Sequence, residues 1–331
     1  MDIKTLQAEI NQSLAALNYG DHPQELYEPI RYIMSLGGKR MRPLLTLLGY
    51  ALFDSDHQKE SQKVENRALK PALAVEVFHN FTLVHDDIMD EAPLRRGKPT
   101  IHEKWNANTG ILSGDVMLVQ AYELLLDIDS QHLKRVIRKF NRCAAEVCEG
   151  QQLDMNFETR DQVGEAEYLD MIRLKTAVLL GFSLELGGIV ANASETSTDL
   201  LNGFGVNVGV GFQLMDDLLD VYADAAKFGK QVGGDIIANK KTFLLINALE
   251  RAEGKTKTAL EHWLSLKEFD KTEKVQAVTE IYNELGIKTL TEAKMNQYFD
   301  TGLDQLAAIE AHTEAKNVLR NFTVQLMNRD R

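Results

Sequence analysis

All six prolines, from Pro23 to Pro99, fall within the first hundred residues, so more than two hundred residues follow without an obligatory helix breaker. The apolar spacing agrees with helix: Leu6, Ile10, Leu14 and Leu17 recur at the helical period in the first segment, and strand-like alternation is scarce throughout. Asp21-His22-Pro23 reads as a helix start with proline in the first turn, Asp54 to Asn66 as a polar loop between helices, and Gly254 and Gly286 as C-terminal caps of late helices. No composition shift marks a linker and no short tandem repeat occurs. The expectation is all-α: one large helical bundle, with residues 1–331 as a single domain.

Hydrophobic residues make up 44% of the chain and charged residues 26%, enough for a sizeable core. The net charge of -12 argues against a nucleic-acid partner, which needs a basic stripe. Cys143 and Cys148 lie five apart, off any common helix face and without a metal-ligand partner at suitable spacing, and read as buried thiols of a reducing compartment. Met1-Asp2-Ile3-Lys4 lacks the features of a signal peptide and no apolar run approaches membrane-spanning length, so the cytoplasm is the expected location.

The most heavily loaded stretch runs from Phe78 to Asp90, where apolar residues lead into Asp86-Asp87-Ile88-Met89-Asp90. On a helix Asp86 and Asp90 share a face about 6 Å apart along the axis. Two carboxylates so placed repel each other, and a hard divalent cation such as Mg²⁺, which prefers oxygen ligands, is the natural compensation. A solvated acidic face is the plainer reading. Against it, Val75, Val77, Phe78, Phe81, Leu83 and Val84 make the preceding helix apolar almost all round, and carboxylates ending a buried helix need partners.

Basic stretches lie on both sides. Gly37-Gly38-Lys39-Arg40-Met41-Arg42-Pro43 combines glycine freedom, a helix start and three cations, which suits a diphosphate as well as it suits an exposed turn. Leu94-Arg95-Arg96-Gly97-Lys98-Pro99-Thr100 reads as a loop whose cations either neutralise the acids or clamp a second phosphate. Gly150-Gln151-Gln152-Leu153-Asp154 follows an amphipathic helix containing Val136, Ile137 and Val147. Lys175-Thr176 sits in an apolar run, where the lysine either snorkels out or, as we favour, meets a buried anion. Then the acidic pattern returns as Gln213-Leu214-Met215-Asp216-Asp217-Leu218-Leu219-Asp220, followed by Lys230, Gly233-Gly234-Asp235 and Asn239-Lys240-Lys241-Thr242. Two such patterns, each ending an apolar helix, describe two facing carboxylate clusters in a bundle.

In this order, from about Gly37 to Thr242, the chain resembles the trans-type isoprenyl diphosphate synthases, or polyprenyl synthetases, and most closely their geranylgeranyl- and farnesyl-forming members. The resemblance implies an isoprenoid-synthase helical bundle around a deep central cavity, usually a homodimer, in which an allylic diphosphate is ionised and isopentenyl diphosphate attacks the carbocation. It implies three Mg²⁺ ions with substrate bound: Asp86, Asp90 and Asp154 on one side and Asp216 opposite. Lys175, Lys230 and Arg95, with Lys240 a weaker candidate, would bind the allylic diphosphate. Lys39, Arg42, His79 and Arg96 would seat isopentenyl diphosphate without a metal. Thr176 and Gln213 would face the reacting carbons, and the proton would leave to the departed diphosphate. Lys98 adds a charge where the family commonly has a neutral residue.

Product length follows from the helix. At 1.5 Å per residue Phe81 lies about 7.5 Å below Asp86 and Phe78 about 12 Å below, with Phe78, Thr82 and Asp86 on one face and Phe81 on its flank. Thr82 is small where farnesyl-forming relatives often place a second aromatic, and Phe81 resembles the stop in geranylgeranyl-forming ones, so twenty carbons are expected, with fifteen next. A terpene cyclase would lack the isopentenyl diphosphate seat and carry a different second motif, squalene synthase has different acidic motifs, a noncatalytic subunit would typically have lost one cluster, and an acidic scaffold gives no reason for cations after each cluster.

Overall fold

The computed structural model describes residues 2–54, 67–223 and 232–327. The expected loop at Asp54 to Asn66 therefore falls, beyond Asp54, outside the described residues, as does Lys230. Among the described residues the fold is all-α apart from one short hairpin. The helices are α1 (Ile3–Ala16), α2 (Gln24–Ser35), α3 (Met41–Ala51), α4 (Leu69–Met89), α5 (Ile101–Lys104), α6 (Ala107–Leu125), α7 (Ser130–Thr159), α8 (Glu165–Ile172), α9 (Val178–Val190) and α10 (Glu195–Tyr222). They continue with α11 (Gly234–Ile237), α12 (Phe243–Arg251), α13 (Gly254–Ser265), α14 (Lys271–Glu284), α15 (Ile287–Ala308) and α16 (Thr313–Met327).

The chain forms two compact units. The first comprises residues 1–142, 180–202 and 309–319, and the second residues 143–179, 203–308 and 320–331. In the first, α4 is the central helix, with α1, α2, α3, α5 and α6 packed on it. Its burial on nearly every side, from Ala72 to Phe78, follows from the apolar run. The second unit has its own core, in which Phe157, Tyr168, Leu214, Met215, Phe243, Tyr282 and Phe299 are buried together.

Local signals resolve in several ways. Asp2 caps α1 by accepting from the Lys4 and Thr5 amides, and Leu17 lies just past the helix end. Pro23 stands at the N-cap of α2, one step before the first turn. Gly286, with φ of +67°, ends α14 in the left-handed conformation expected of a C-terminal cap. Gly254 does not: α12 stops at Arg251, and Gly254 opens α13. The stretch expected to follow the α7 helix lies inside it, because α7 runs on through Asp154 to Thr159. Of the two free thiols Cys143 is buried, but Cys148 is exposed, which corrects the reading of both as buried: two positions five apart on a helix point to different sides.

Candidate functional site

In the first unit α4 delivers its acids at its own C-terminal end. The Asp90 amide donates to the Asp86 carbonyl at 2.9 Å, so the i, i+4 relation persists through the last turn. Directly beyond it, Leu94–Arg95 and Lys98–Pro99 pair as a two-stranded hairpin where a plain loop is expected. Arg96 and Gly97, with φ of +53° and +73°, form the two-residue turn whose left-handed backbone matches strand twist. The hairpin folds Arg95 back onto the acids: its Nε donates to both Asp87 carboxylate oxygens at 2.8 and 2.7 Å, and Nη2 reaches Asp86 Oδ2 at 3.4 Å. Asp87 is only 2% exposed, and burial raises its carboxyl above the usual range while Arg95 opposes the shift. Neutralisation of the acids is thus the arrangement seen for Arg95, and Asp86 keeps partial access.

The two basic stretches, separate in sequence, meet in space. The guanidinium of Arg96 donates to the Gly37 carbonyl and lies against Gly38. Arg42 approaches His79 Nε2 at 3.0 Å. Arginine has only donors, so Nε2 accepts, the imidazole is neutral and its proton sits on Nδ1. Burial and the charges of Arg42, Arg96 and Arg95 hold His79 well below the ordinary histidine range. Lys39 is exposed. Arg40 turns the other way: buried, it pairs with Glu76 Oε1 at 2.6 Å and also donates to Met34 and Asn11. Of the three cations Arg40 is therefore committed to a buried ion pair, which corrects the reading of all three as ligand cations. Sequence reasoning missed Glu76, although an acid inside an apolar helix, three residues before His79, was the available signal.

Below the acids an aromatic stack fills the unit. Phe81 lies 4.8 Å from His85 and 5.6 Å from Phe78, and the buried Phe78 ring meets Phe140 at 5.0 Å, which in turn meets Tyr122 and Phe182. Thr82 Oγ1 donates to its own helix, to the His79 carbonyl at 2.8 Å.

In the second unit residues 173–177 form a π-helix between α8 and α9. Such a widened turn, common at functional sites, carries Lys175 and Thr176. Lys175 Nζ meets Asp154 at 2.6 Å, so the anion expected for this lysine is the aspartate of the Gly-Gln-x-Leu-Asp stretch. Gly150 makes room for it: a Cβ there would sit 2.2 Å from the Lys175 backbone nitrogen.

On α10 Asp216 is exposed and Asp217 is 4% exposed. Tyr168 donates to Asp217 Oδ2 at 2.5 Å and Gln213 Nε2 to Oδ1 at 3.5 Å. Burial, offset in part by these bonds, pushes Asp217 up to about 7. Asp220 is engaged with its own chain, accepting from the Asp235 amide at 2.9 Å. Lys240 is exposed, its amide bonded to the Asp235 carbonyl at 2.9 Å. The half-buried Asp235 is raised chiefly by burial, with Lys240 opposing.

Among the described residues no three His, Cys, Asp or Glu side chains already converge as a metal cage. Within the first unit the exposed or half-exposed carboxylates of Asp86 and Asp90, and within the second those of Asp154 and Asp216, are of the donor type Mg²⁺ takes, since that ion keeps several waters and takes one or two carboxylates together with substrate phosphates. No helix among the described residues is long and apolar enough to cross a membrane.

The described residues form an all-α fold whose helices carry acidic turns beside arginines and lysines. The polyprenyl synthetase family model matches residues 23–283, and the chain belongs to this family of prenyl-transferring enzymes. The geranylgeranyl pyrophosphate synthase of Geoglobus acetivorans is 41% identical over 75% of this chain and 76% of its own. The geranylgeranyl diphosphate synthase of Methanosarcina mazei is 34% identical over 97% and 92% respectively. A crystal structure of a geranylgeranyl pyrophosphate synthase matches with 42% identity, a TM-score of 0.91 and full coverage of both chains.

Proposed function

We propose that the chain joins isopentenyl diphosphate to an allylic diphosphate, head to tail and in trans geometry, and releases a twenty-carbon product, geranylgeranyl diphosphate. The allylic carbon–oxygen bond breaks, a carbon–carbon bond forms to isopentenyl diphosphate, a proton is lost and inorganic diphosphate departs. Ionisation is the difficult step, because the leaving group develops charge that must be held in place. Asp86, Asp90, Asp154 and Asp216 would hold three Mg²⁺ ions, which supply Lewis-acid stabilisation of that charge when bound. Lys175, Arg95, Lys230 and Lys240 would bind the allylic diphosphate as well. Lys39, Arg42, His79 and Arg96 would seat isopentenyl diphosphate, and Thr176 and Gln213 would present dipoles to the cation without capturing it. Phe81, backed by Phe78, would floor the chain beside the small Thr82.

The observation that carries this reading is the second cationic cluster: the two basic stretches converge, Arg96 donating to the Gly37 carbonyl and Arg42 to the imidazole of His79, which burial and the surrounding guanidinium charges hold neutral. An ionising enzyme that only cyclises one diphosphate has no use for such a cluster. The named relatives support the twenty-carbon product. Residues 1–331 would work as one domain. Homodimerisation is supported by the exposed apolar stripe Leu112, Val119 and Leu126, seven residues apart along α6 and past its end, with Ile111 beside it. A cytoplasmic, reducing location suits the two free thiols.

The test is incubation of the protein with Mg²⁺, isopentenyl diphosphate and each of dimethylallyl, geranyl and farnesyl diphosphate. Elongation is expected from all three and is abolished by chelation. A fifteen-carbon or a long-chain end point would leave the condensation and refute the product length, and no elongation from any starter would indicate a regulatory subunit or a cyclase.

A further inference from the structure

Both acidic turns bury their middle aspartate, but with different partners. Asp87 is held by the cation Arg95, whereas Asp217 is held by a phenol and an amide. The phenol belongs to Tyr168, only 2% exposed on α8 within the core of the second unit. Packing does not require its hydroxyl, since phenylalanine would fill the same volume. What the hydroxyl adds is one bond to a buried carboxyl that needs partners. That bond links two functional segments. Tyr168 lies on the helix that runs directly into the π-helix bearing Lys175 and Thr176, and Asp217 lies between Asp216 and the rest of the acidic turn. The other Asp217 oxygen takes the Gln213 amide nitrogen. In this geometry Gln213 Nε2 donates to Asp217 Oδ1, so the nitrogen end of the amide faces Asp217 and its carbonyl oxygen is turned away from it.

We propose that Tyr168 is a positioning residue: through Asp217 it fixes the end of the Gln213 amide that is presented to the reacting carbons and holds the acidic turn of α10 in register for diphosphate. This rests on the proposed prenyl condensation and assigns neither Tyr168 nor Asp217 a contact with substrate.

The test is Tyr168→Phe in the full chain, with three measurements beside thermal unfolding. Calorimetric binding of inorganic pyrophosphate in the presence of Mg²⁺ should weaken, and kcat should fall, each by about tenfold, the equivalent of one buried hydrogen bond. KM for isopentenyl diphosphate should stay unchanged. Prenyl alcohol, formed when water adds to the allylic cation and a proton is lost, should rise several-fold relative to elongated product, because a misoriented amide no longer steadies the cation. Unchanged pyrophosphate affinity and an unchanged alcohol-to-product ratio would overturn the proposal, even if activity and melting temperature dropped together. Failure of the wild-type chain to elongate any starter would overturn the condensation instead, and the pyrophosphate comparison between the two proteins would still decide the role of Tyr168 on the acidic turn.

Discussion

Gly150→Ala sets two effects of opposite sign against each other. In an ordinary helix interior the change stabilises by roughly 1 kcal/mol, because alanine loses less backbone entropy. Here the added Cβ would lie 2.2 Å from the Lys175 nitrogen, 2.6 Å from its Cα and 2.7 Å from the Leu174 carbonyl carbon. All three are backbone atoms, so no rotamer change relieves the clash, and ordinary contact requires the π-helix to retreat by roughly an ångström. Overpacking of this kind costs about 1–3 kcal/mol, occasionally more, which outweighs the propensity gain. The retreat would also pull Lys175 from Asp154, now at 2.6 Å. A misplacement of about 1 Å at a reacting centre costs on the order of 100-fold in rate. Urea unfolding followed by far-UV circular dichroism, with a kcat measurement on the folded fraction, checks both. An alanine variant as stable as the wild type and equally active would refute the argument that close approach, not chance, placed glycine here.

Phe81→Ser should lengthen the product, read by chromatography of dephosphorylated products, and an unchanged distribution would exclude Phe81 as the floor. Glu76→Gln leaves the Arg40 guanidinium buried without its counter-charge and should cost about 3–5 kcal/mol in chemical denaturation; a loss below 1 kcal/mol would contradict the buried pair. Asp217, held near 7 in the folded chain against an ordinary 3.8, binds its proton more tightly folded than unfolded. Its stabilising contribution is therefore complete below pH 3.8 and is lost as pH rises toward 7. Relative to Asp217→Asn, the metal-free wild type should gain about 4 kcal/mol between pH 8 and pH 4, and a pH-independent difference would contradict the burial. His79, held low, acts in the opposite sense: stability should fall as pH drops below 6.5, where the unfolded imidazole takes a proton that the folded one refuses, and His79→Gln should flatten that limb of the thermal-stability profile.

Much of the fold and site was legible because it depends on local chemistry. Proline distribution and helical period gave an all-α chain, and Asp86 and Asp90 emerge where an apolar helix ends, whereas Asp216 lies inside α10, which runs on to Tyr222. What stayed hidden depends on pairs distant in sequence or on backbone geometry. Arg40 reads as one of three ligand cations until Glu76, on another helix, claims it. The π-helix at 173–177 has no residue signature, and its close approach to Gly150 on α7 joins segments distant in sequence. Tyr168 looks like core because its hydroxyl partner is 49 residues away. Gly254 carries the same letter as a terminal cap, and only the end of α12 at Arg251 shows that it begins a helix.

The most direct test of the account is end-product length from farnesyl diphosphate with excess isopentenyl diphosphate and Mg²⁺. The account predicts one addition and a twenty-carbon product without longer homologues. Continued growth beyond twenty carbons, or refusal of farnesyl diphosphate after making it from shorter starters, would contradict a floor at Phe81 and with it the proposed product.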